Sequence, residues 1–579
     1  MRAADSLPRL AAALIAASCV VLAAPAAAVA VPAWQAPVTI SPAGETGFVP
    51  EVAVDPGGDA VAVWAANGPI EAAARPPGAC FARPERISST GTFNGYPQVA
   101  LDSGGNALAV WLGSRGEIQA AVRPAGESFG PVETIPEPGE RPSVPDVAVN
   151  PKGDAVVVWV GGSGVRAAAR PAGGTFAPPQ TISAPVQYIF SLQVAIDPAG
   201  SALAVWQRQN GTDSRVEAAA RPAGGSFGAV QTLSGPDQRP GPPPVSPQVA
   251  LDSHGNGIAV WDRFDGGADQ MQAAFRPAGG SFGAPQTIPD PVPGFVNGPG
   301  PSLGVDSQGN AVAAWSRGHV GSRGTFDGRI QAALRPARGS FGPAQTISVG
   351  DTNIAPDVAV NAHGDAVVAW GARVAPPDAR EIDAAVRPAG ASFGTPEAIS
   401  DQPEYVGNPW AAAAVDSRGD AIAVWSREDF KVRAAAYGSP PASCAPPSLS
   451  RLALRPKRFR AARRGPTVST RVGSRVGYAL SLPARVRFRV DRVKRGRRVR
   501  GRCRRPTARN RGHRRCTRYI RLRGSFTHRG NEGRNRFTFR GRLRHRRLHP
   551  GRYRLSARAT DFAGRRSSIK RRRFRIVRR

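Results

Sequence analysis

The sequence predicts an all-β chain, an eight-bladed β-propeller closed by an N-terminal strand and followed by an arginine-rich β-sandwich. First, a phrase ending in Trp, such as "VDPGGDAVAVW" at 54–64, occurs eight times at intervals of 47 to 55 residues. Second, each repeat contains four short runs rich in Val, Ile and Ala, separated by Gly, Pro, Asp and Asn. Four strands in a repeat of this length are typical of a propeller blade. Third, the charge of the chain changes sign near residue 450.

The first 30 residues predict a secretory signal peptide. Two arginines precede an apolar run, and Ala28-Val29-Ala30 supplies the small residues of a cleavage site. An uncleaved membrane anchor is the alternative interpretation. No later run reaches the roughly 18 apolar residues that a spanning helix needs. We therefore expect a bacterial protein that is secreted and either extracellular or associated with the cell wall.

In each repeat the first strand is followed by a turn whose residues have structural roles. An Asp or Asn stands nine residues before each Trp, and its side chain can accept backbone N–H bonds within the turn. The Gly three residues later, such as Gly153, permits a positive φ. Two of the eight turn positions are Asn, which argues against a metal or catalytic role. The tryptophans, which we expect to fill the space between blades, are Trp64, Trp111, Trp159, Trp206, Trp261, Trp315, Trp370 and Trp425.

The two ends of the repeat array predict that the ring closes. Trp34 lies 21 residues before Asp55, which is the spacing between Phe81 and the next turn residue, Asp102. The segment "WQAPVTIS" at 34–41 is therefore a fourth strand without a blade of its own, while the eighth repeat lacks one. The N-terminal strand should complete blade eight and remove a sheet edge. The predicted divisions are a signal peptide at 1–30, a propeller at 31–440, a linker at 441–450 and a sandwich at 451–579.

Four cysteines remain after removal of the signal peptide, and secretion favours disulfides between them. Cys80 lies in the third turn of blade one, and Cys444 follows the third strand of the adjacent blade eight. We expect the pairs Cys80–Cys444 and Cys503–Cys516 among the three connectivities that four cysteines allow. A zinc site is the weaker alternative, because paired cysteine spacing and a histidine cluster are absent.

Loop lengths distinguish the two faces of the predicted ring. The turns after the first and third strands keep nearly constant lengths, whereas the loops after the second strands and the linkers between blades vary. These variable segments open on one face, here called the variable face, which is the expected binding face. Its aromatic side chains could stack on sugar rings beside carboxylates that bind hydroxyls, or they could fix the loops against the blades. The candidate residues are Tyr188, Asp213, Asp262, Phe264, Asp265, Phe295, Phe326, Asp327, Tyr405, Trp410 and Asp429.

The Asp-to-Trp phrase resembles two known blade motifs. It is similar to the Asp-box of sialidases, S-x-D-x-G-x-T-W, and to the A-x-D-x-x-T-G-x-x-x-W motif of quinoprotein dehydrogenases, but only over this one phrase. The spacing from Asp to Trp is nine rather than five residues, the Thr-Gly pair is missing, and no adjacent cysteines occur. A binding function is therefore favoured over catalysis, with no cofactor and no metal. The alternatives are a glycoside hydrolase or lyase acting on extracellular polysaccharide, and a structural component of the envelope.

The C-terminal region is strongly basic. Residues 31–450 contain 27 Lys and Arg against 38 Asp and Glu, a net charge of −11, whereas residues 451–579 contain 48 against 3, a net charge of +45. Alternation of arginine and apolar residues, as in "ARVRFRVDRV", predicts half-buried strands. The segment "PGRYRLSARATDFAG" at 550–564 resembles the last hairpin of bacterial immunoglobulin-like modules, which implies a β-sandwich.

Such a surface should bind an anionic polymer by counterion release. The candidates outside the membrane are teichoic-type polymers, anionic polysaccharide, lipid head groups and extracellular DNA. The sequence therefore predicts a secreted, monomeric binding or adhesion protein, with a carbohydrate or protein ligand on the propeller and an anionic envelope polymer or polysaccharide on the basic region.

Overall fold

The structure, a computed structural model, forms eight antiparallel sheets of four or five strands each, followed by a β-sandwich. This confirms the predicted fold class. The described residues are 32–578 apart from 43–44, 89–94, 136–141, 163, 186–187, 212, 237–245, 265–268, 291–295, 298–299, 321–325, 351–352, 375–378, 401–410, 428, 439–446, 463–467, 470–472, 482–483, 532, 545 and 561–565.

In blades one to seven the strands run in sequence order from the inside of the ring to the outside. The innermost strands are Gly47–Val54, Gly95–Leu101, Ser143–Val149, Tyr188–Ile196, Gln248–Leu251, Ser302–Val305, Asn353–Val360 and Ala411–Val415. The second strands are Ala60–Ala66, Ala107–Leu112, Ala155–Gly161, Ala202–Asn210, Gly257–Phe264, Ala311–Val320, Ala366–Val374 and Ala421–Ser426. The third strands are Ile70–Arg75, Ile118–Arg123, Gly164–Arg170, Asp213–Arg221, Asp269–Arg276, Phe326–Arg335, Ala379–Arg387 and Val432–Gly438. The short fourth strands are Glu85–Arg86, Glu133–Ile135, Gln180–Thr181, Gln231–Thr232, Gln286–Thr287, Gln345–Thr346 and Glu397–Ala398, and blade six has an additional strand at Val296–Asn297.

The ring closes between the last blade and the first. Each innermost strand contacts the innermost strands of both neighbouring blades, and Ala411–Val415 contacts Gly47–Val54. Blade eight obtains its outer strand from the N-terminus, because Ala33–Trp34 and Val38–Thr39 both pair antiparallel with Val432–Gly438. The predicted closure by the N-terminal strand is therefore confirmed.

The eight repeat tryptophans form the centres of the contacts between blades. All of them are 0 or 1% exposed, and they pack among the Val, Ile and Ala side chains of neighbouring sheets. A buried indole N–H needs a hydrogen-bond acceptor, and in several blades a Glu or Gln of the third strand provides it. Trp111 Nε1 donates to Gln119 at 2.9 Å, and Trp206 Nε1 donates to Glu217 at 3.1 Å.

The turn after each innermost strand also contacts the next blade. Asp102 Oδ1 accepts the backbone N–H groups of Gly104 and Asn106, both at 2.9 Å, as the sequence predicted. Its Oδ2 faces the following turn, where a Cβ added to Gly153 would lie 3.1 Å away. Gly153 has a φ of 94°. Glycine at this position therefore meets two requirements, a left-handed backbone and a close approach between blades.

The C-terminal region is a sandwich of two sheets around one apolar core. The smaller sheet contains Leu449–Arg455, Ser474–Leu480, Gly533–Phe539 and Val468–Ser469. The larger sheet contains Arg458–Phe459, Lys570–Ile576, Gly551–Thr560, Ala484–Val499, Arg502–Arg504 and Arg515–Gly530. A hairpin of Arg542–Leu543 and Arg546–Arg547 and one 3₁₀ turn at Ala508–Asn510 complete the described elements. The immunoglobulin-like relationship and the predicted domain limits remain predictions.

The disulfide prediction is confirmed for Cys503–Cys516. Cys80 is also disulfide-bonded, but its predicted partner Cys444 lies outside the described residues. In the part of the chain that the structure describes, no helix is long and apolar enough to cross a membrane.

Closure of the ring can be tested on the N-terminal segment itself. Ile40 is 5% exposed in the core between blades eight and one, whereas Val38 is 44% exposed. Ile40→Ala should lower the free energy of unfolding by about 2–4 kcal/mol, because it leaves a cavity in that core. Val38→Ala should change it by less than about 0.5 kcal/mol. Equal effects of the two substitutions in chemical denaturation would contradict the closure.

The contact between turns can be tested at two glycines that both have a positive φ. A Cβ at Gly255 (φ 82°) would lie 2.8 Å from Asp197 Oδ2, whereas a Cβ at Gly279 (φ 70°) would meet nothing within 4 Å. Both alanine substitutions strain the backbone, but only Gly255→Ala also pushes two blades apart. We expect Gly255→Ala to destabilise the protein by about 1–2 kcal/mol more than Gly279→Ala. Thermal unfolding of the two variants measures this difference.

Candidate binding surfaces

The innermost strands are distorted where they emerge at the variable face. In five blades the pairing with the second strand shifts register near the beginning of the innermost strand. In four of these, the residue six positions before the turn Asp or Asn has a positive φ: 46° at Val49, 51° at Tyr96, 44° at Ser191 and 52° at Ala355. Such a conformation costs roughly 1–2 kcal/mol for a residue other than glycine. Bulges redirect side chains and are enriched beside functional sites.

Exposed aromatic side chains accompany these bulges. Tyr188 is 55% exposed and stacks on Phe190, with ring centroids 6.0 Å apart. A second aromatic pair lies on the opposite side of the ring. Phe430, in the loop of blade eight, packs against Phe48 of blade one, with ring centroids 4.8 Å apart. Tyr96 of blade two is 43% exposed. These five residues (Phe48, Tyr96, Tyr188, Phe190 and Phe430) are called the aromatic rim.

The structure describes five of the predicted site residues with their side chains. Tyr188 belongs to the aromatic rim. Asp213 forms salt bridges at 2.8 Å with both Arg208 and Arg215, and Asp429 pairs with Lys431 at 2.7 Å. Phe264 is half-buried.

Asp262 is only 2% exposed and does not lie on an open surface. The second strand of blade five continues from Gly257 to Phe264, so Asp262 lies within the sheet and not in the loop where the sequence analysis placed it. Phe326 and Asp327 pair in the hairpin with Val320 and His319, but their side chains are not among those described. The remaining candidates lie outside the described residues: Asp265, Phe295, Tyr405 and Trp410.

Sequence analysis missed Phe48, Tyr96 and Phe190, because it searched the loops and not the starts of the innermost strands. The available signal was an aromatic residue six or seven positions before the turn residue, in blades one, two, four and eight. The other residues at these two positions are Gly, Ala, Ser, Val, Ile and Pro. These aromatic residues can be recognised as exposed only from the bulges, which are visible in the strand pairing of the structure.

A second polar feature lies farther inside, where the innermost strands meet. The position four residues before each turn Asp or Asn forms what we call the axial ring. Three of its side chains hydrogen-bond the free backbone edge of the next blade. Asp146 Oδ2 accepts the N–H of Val194 at 2.7 Å, Asp357 Oδ2 accepts that of Ala413 at 2.8 Å, and Ser302 Oγ accepts that of Val358 at 2.9 Å. The members of the axial ring are Glu51, Gln98, Asp146, Gln193, Gln248, Ser302, Asp357 and Ala412.

The three carboxyl groups of the axial ring are costly to ionise. Burial raises the pKa of Asp146 to about 7 and that of Asp357 to about 6, although both accept backbone hydrogen bonds that oppose the shift. Burial raises the pKa of Glu51 well above its ordinary value, and repulsion from Asp357 and Asp146 adds to this rise. These groups therefore hold protons at a pH where a solvated carboxyl would be charged.

The sandwich carries the predicted positive surface. On the outer face of the larger sheet, Arg485, Arg487 and Arg489 are exposed, whereas the alternate residues Val486, Phe488 and Val490 are fully buried. Arg554 donates to the buried Asp491 at 2.8 and 3.1 Å. Asp491 is the only carboxylate among the described residues of the sandwich. The sandwich therefore contains far more arginines than a carboxylate could neutralise.

The strongest concentration of charge is a projecting hairpin, residues 493–519, here called the basic arm. Its 27 residues include 12 Arg, one Lys and no Asp or Glu. The Cys503–Cys516 disulfide links the strands Arg502–Arg504 and Arg515–Gly530, which flank Ala484–Val499 on its two edges. This part of the arm contains an open cavity with a volume of about 780 Å³, which is lined by Arg502, Arg504, Arg505 and Arg509.

Within the described ranges, no group of three or more His, Cys, Asp or Glu side chains is arranged to hold a metal ion.

No protein-family model matches the chain, and no curated protein matches it. Among solved structures, a lectin from Burkholderia pseudomallei aligns with 63% of this chain and 100% of its own, at 13% identity and a TM-score of 0.43. An ulvan lyase aligns with 58% of this chain and 90% of its own, at 10% identity and a TM-score of 0.37. An alpha-L-arabinanase from Penicillium chrysogenum aligns with 59% of this chain and 92% of its own, at 13% identity and a TM-score of 0.33. All three scores are low and the named activities differ, so these similarities do not assign a function.

The raised pKa values predict that stability depends on pH in an unusual direction. Between about pH 4 and pH 7, the folded state retains protons on the axial carboxyls that the unfolded state releases, so the free energy of unfolding falls as pH rises. Asp146→Asn removes one of these titrations and keeps an oxygen for the N–H of Val194. Relative to the wild type, this variant should be more stable at pH 8 than at pH 5, by a difference on the order of 1 kcal/mol.

Asp154 supplies the opposite control. Its carboxylate accepts the backbone N–H of Ala172 and the side-chain N–H of Asn150, both at 3.0 Å, and these bonds lower its pKa. Asp154→Asn should therefore destabilise the protein at pH 7 and lose this effect as pH falls below about 4. Denaturant unfolding across this pH range measures both variants. If Asp146→Asn leaves the pH slope unchanged, Asp146 does not titrate as proposed.

Proposed function

We propose that the chain is a secreted binding protein in which the propeller presents a glycan-binding variable face and the basic sandwich attaches to an anionic polymer of the cell envelope. The observation that carries the first part is the aromatic rim. The fold accepts backbone strain beside these rings and leaves large apolar surfaces exposed, neither of which improves its stability. Binding accounts for both features.

A saccharide is the ligand that suits this surface best. Its ring presents C–H groups that pack on an aromatic face, and its hydroxyls bind neighbouring polar side chains. Tyr188 and Phe190 offer such a stacked pair, and Asp213 with Arg208 and Arg215 supplies charged hydrogen-bonding groups on the hairpin of the same blade. A protein ligand with an exposed apolar segment is the competing partner for this rim.

The attachment role rests on the uncompensated charge of the sandwich. Many arginines on one sheet face and on the basic arm remain exposed, and each phosphate or carboxylate they neutralise releases a counterion. The affinity of such binding falls steeply as the salt concentration rises, and it depends little on the order of the units in the polymer. Secretion, the signal peptide and the predicted domain limits belong to this proposal.

One observation favours a second function, hydrolysis or eliminative cleavage of a polysaccharide. A carboxylic acid whose pKa is raised toward neutral is the group that a general acid requires, and burial raises the pKa values of Asp146, Asp357 and Glu51. Two of them, however, already cap backbone N–H groups of neighbouring blades. A binding function therefore ranks first.

The proposal can be tested by binding of the full-length mature chain to an array of bacterial and plant polysaccharides. Tyr188→Ala combined with Phe190→Ala should weaken binding by about tenfold or more, because it removes the stacked pair. Val230→Ala, an exposed apolar residue next to an outer strand, is the matched control and should have no effect. Shortening of a polysaccharide by the wild type, abolished by Glu51→Gln, would instead support catalysis. Binding that survives the aromatic substitutions would contradict the assignment of the rim.

A further inference from the structure

The propeller carries a repeated cleft at blade junctions on the face opposite the variable face. We call this the uniform face, because it is formed by the turns of constant length that follow the first and third strands. Between blades two and three, a cleft with a volume of about 330 Å³ is lined by Asp102 and Asn106 of blade two and by Gly153 and Arg170 of blade three. The equivalent cleft between blades six and seven has a volume of about 280 Å³. The residues at the corresponding positions there are Asp306, Asn310, Gly364 and Arg387.

Each cleft combines a carboxylate of one blade with an arginine of the next. Burial lowers the pKa of Arg387, and the nearby carboxylates of Asp306 and Asp365 oppose this shift. Arg387 Nη1 donates to the carbonyl of Gly364 at 3.2 Å. The Nε atoms of Arg387 and Arg170 are buried and have no hydrogen-bond acceptor among the described residues. A guanidinium with unused N–H groups can donate to a ligand oxygen without losing a bond to the protein.

The further cations of the two clefts lie near carboxylates. Lys152 lines the first cleft and lies close enough to Asp154 to lower the pKa of that carboxyl, after the larger effect of its hydrogen bonds. Arg335 lines the second cleft, is attracted by Asp252 and lies over the ring of Phe275, 4.2 Å from its centroid. In contrast to the sandwich, the clefts therefore have carboxylates beside their cations, which favours a neutral ligand over a charged one.

Apolar side chains form the remaining wall of each cleft. They are Leu108, Val122 and Val149 in the first cleft and Val312, Leu334 and Val360 in the second. An apolar wall with a few polar groups is typical of small-molecule sites, and the two volumes lie near the lower end of the range for such sites.

The junction between blades eight and one shows how such a cleft is closed. Arg418, two residues after the turn residue Asp416, donates to Asp416 and also to the carbonyl of Gly57 in blade one, at 3.1 Å. The cavity at this junction has a volume of only about 20 Å³. The position of Arg418 is occupied by Gly104 in blade two and by Gln308 in blade six. A hydrogen-bond donor of the protein itself therefore lies where the two larger clefts can admit a ligand.

We propose that the clefts between blades two and three and between blades six and seven each bind one neutral saccharide residue. This inference goes beyond the proposed function, because it assigns ligand sites to the face opposite the aromatic rim and does not depend on that rim. A hydroxyl both donates and accepts, so neighbouring hydroxyls of one sugar can bond the carboxylate and the guanidinium together. The C–H groups of the sugar can then pack on the apolar wall. Because the two clefts lie half a ring apart, one molecule can hold two glycan ends on a densely coated surface.

The test closes both clefts with the side chain that closes the third. The closing variant combines Gly104→Arg with Gln308→Arg. The control variant combines Ser128→Arg with Ser340→Arg, which add the same charge at exposed positions in the third turns of the same two blades. Binding to the full-length chain is measured by calorimetry with the methyl glycosides of galactose, mannose, rhamnose and xylose. The methyl glycoside of glucuronic acid serves as the charged probe.

We expect the wild type to bind at least one neutral glycoside at two sites per chain, with a Kd on the order of 1 mM. The closing variant should bind it at least about tenfold more weakly, because its arginines occupy the clefts. The control variant, and the variant with Tyr188→Ala and Phe190→Ala, should match the wild type at these sites. Arg418→Ala should add one site per chain.

Thermal unfolding shows whether the closing variant is folded. If it is not, the combination of Arg170→Gln and Arg387→Gln replaces it, with an expected loss of about tenfold from the missing charged donors.

Unchanged binding in the variant that disrupts the clefts would overturn the inference, and so would a wild type that binds none of the neutral glycosides. If only the Tyr188→Ala and Phe190→Ala variant loses binding, the saccharide lies on the aromatic rim, so the inference is wrong and the proposed function stands. Tighter binding of the glucuronide than of every neutral glycoside would show that the clefts select an anion, and would also overturn the inference.

Discussion

Every blade of this ring presents an unpaired strand edge toward the axis, and the fold depends on how those edges are satisfied. A backbone N–H group left without an acceptor costs as much as a lost hydrogen bond. At three junctions between blades a side chain of the axial ring supplies the acceptor, as when Ser302 Oγ accepts the N–H of Val358 in the next blade. Two of these acceptors are carboxyl groups with raised pKa values, Asp146 and Asp357. The molecule thus tolerates carboxyls that are costly to ionise where the alternative is an unpaired edge.

The opposite end of each innermost strand joins the blades by a different chemistry. There the turn Asp satisfies its own turn and approaches the glycine of the next, and serines add bonds between turns, such as Ser417 Oγ to the carbonyl of Pro56 at 2.6 Å. This bond joins blade eight to blade one. The uniform length of these turns follows from that contact, since an inserted residue would separate neighbouring blades. The variable face has no such requirement, and its loops can change without loss of the ring.

Repetition explains which features the sequence could predict. The Trp, the turn Asp and the glycine recur eight times, so blade number, closure and the buried indoles followed from spacing alone. The axial ring could not be found in this way, because its positions hold Glu, Gln, Asp, Ser and Ala and no residue type recurs through all eight repeats. Asp262 was misplaced because a hairpin can extend beyond its apolar run, and here the second strand continues past Trp261 to Phe264. The aromatic rim depends on bulges, which are a property of strand pairing and leave no local sequence pattern.

The N-terminal strand gives the molecule an order of assembly. Trp34 pairs with Tyr437, so the two halves of blade eight are separated by about 400 residues of chain, and contacts between such distant positions form late in folding. Seven blades can therefore form during synthesis or export while the eighth waits for the end of the propeller to appear. A chain truncated within the last repeat would keep an open sheet edge and remain prone to pair with other chains. Because blade eight is built from the first and the last segments of the propeller, the ring closes only when both segments have been synthesised.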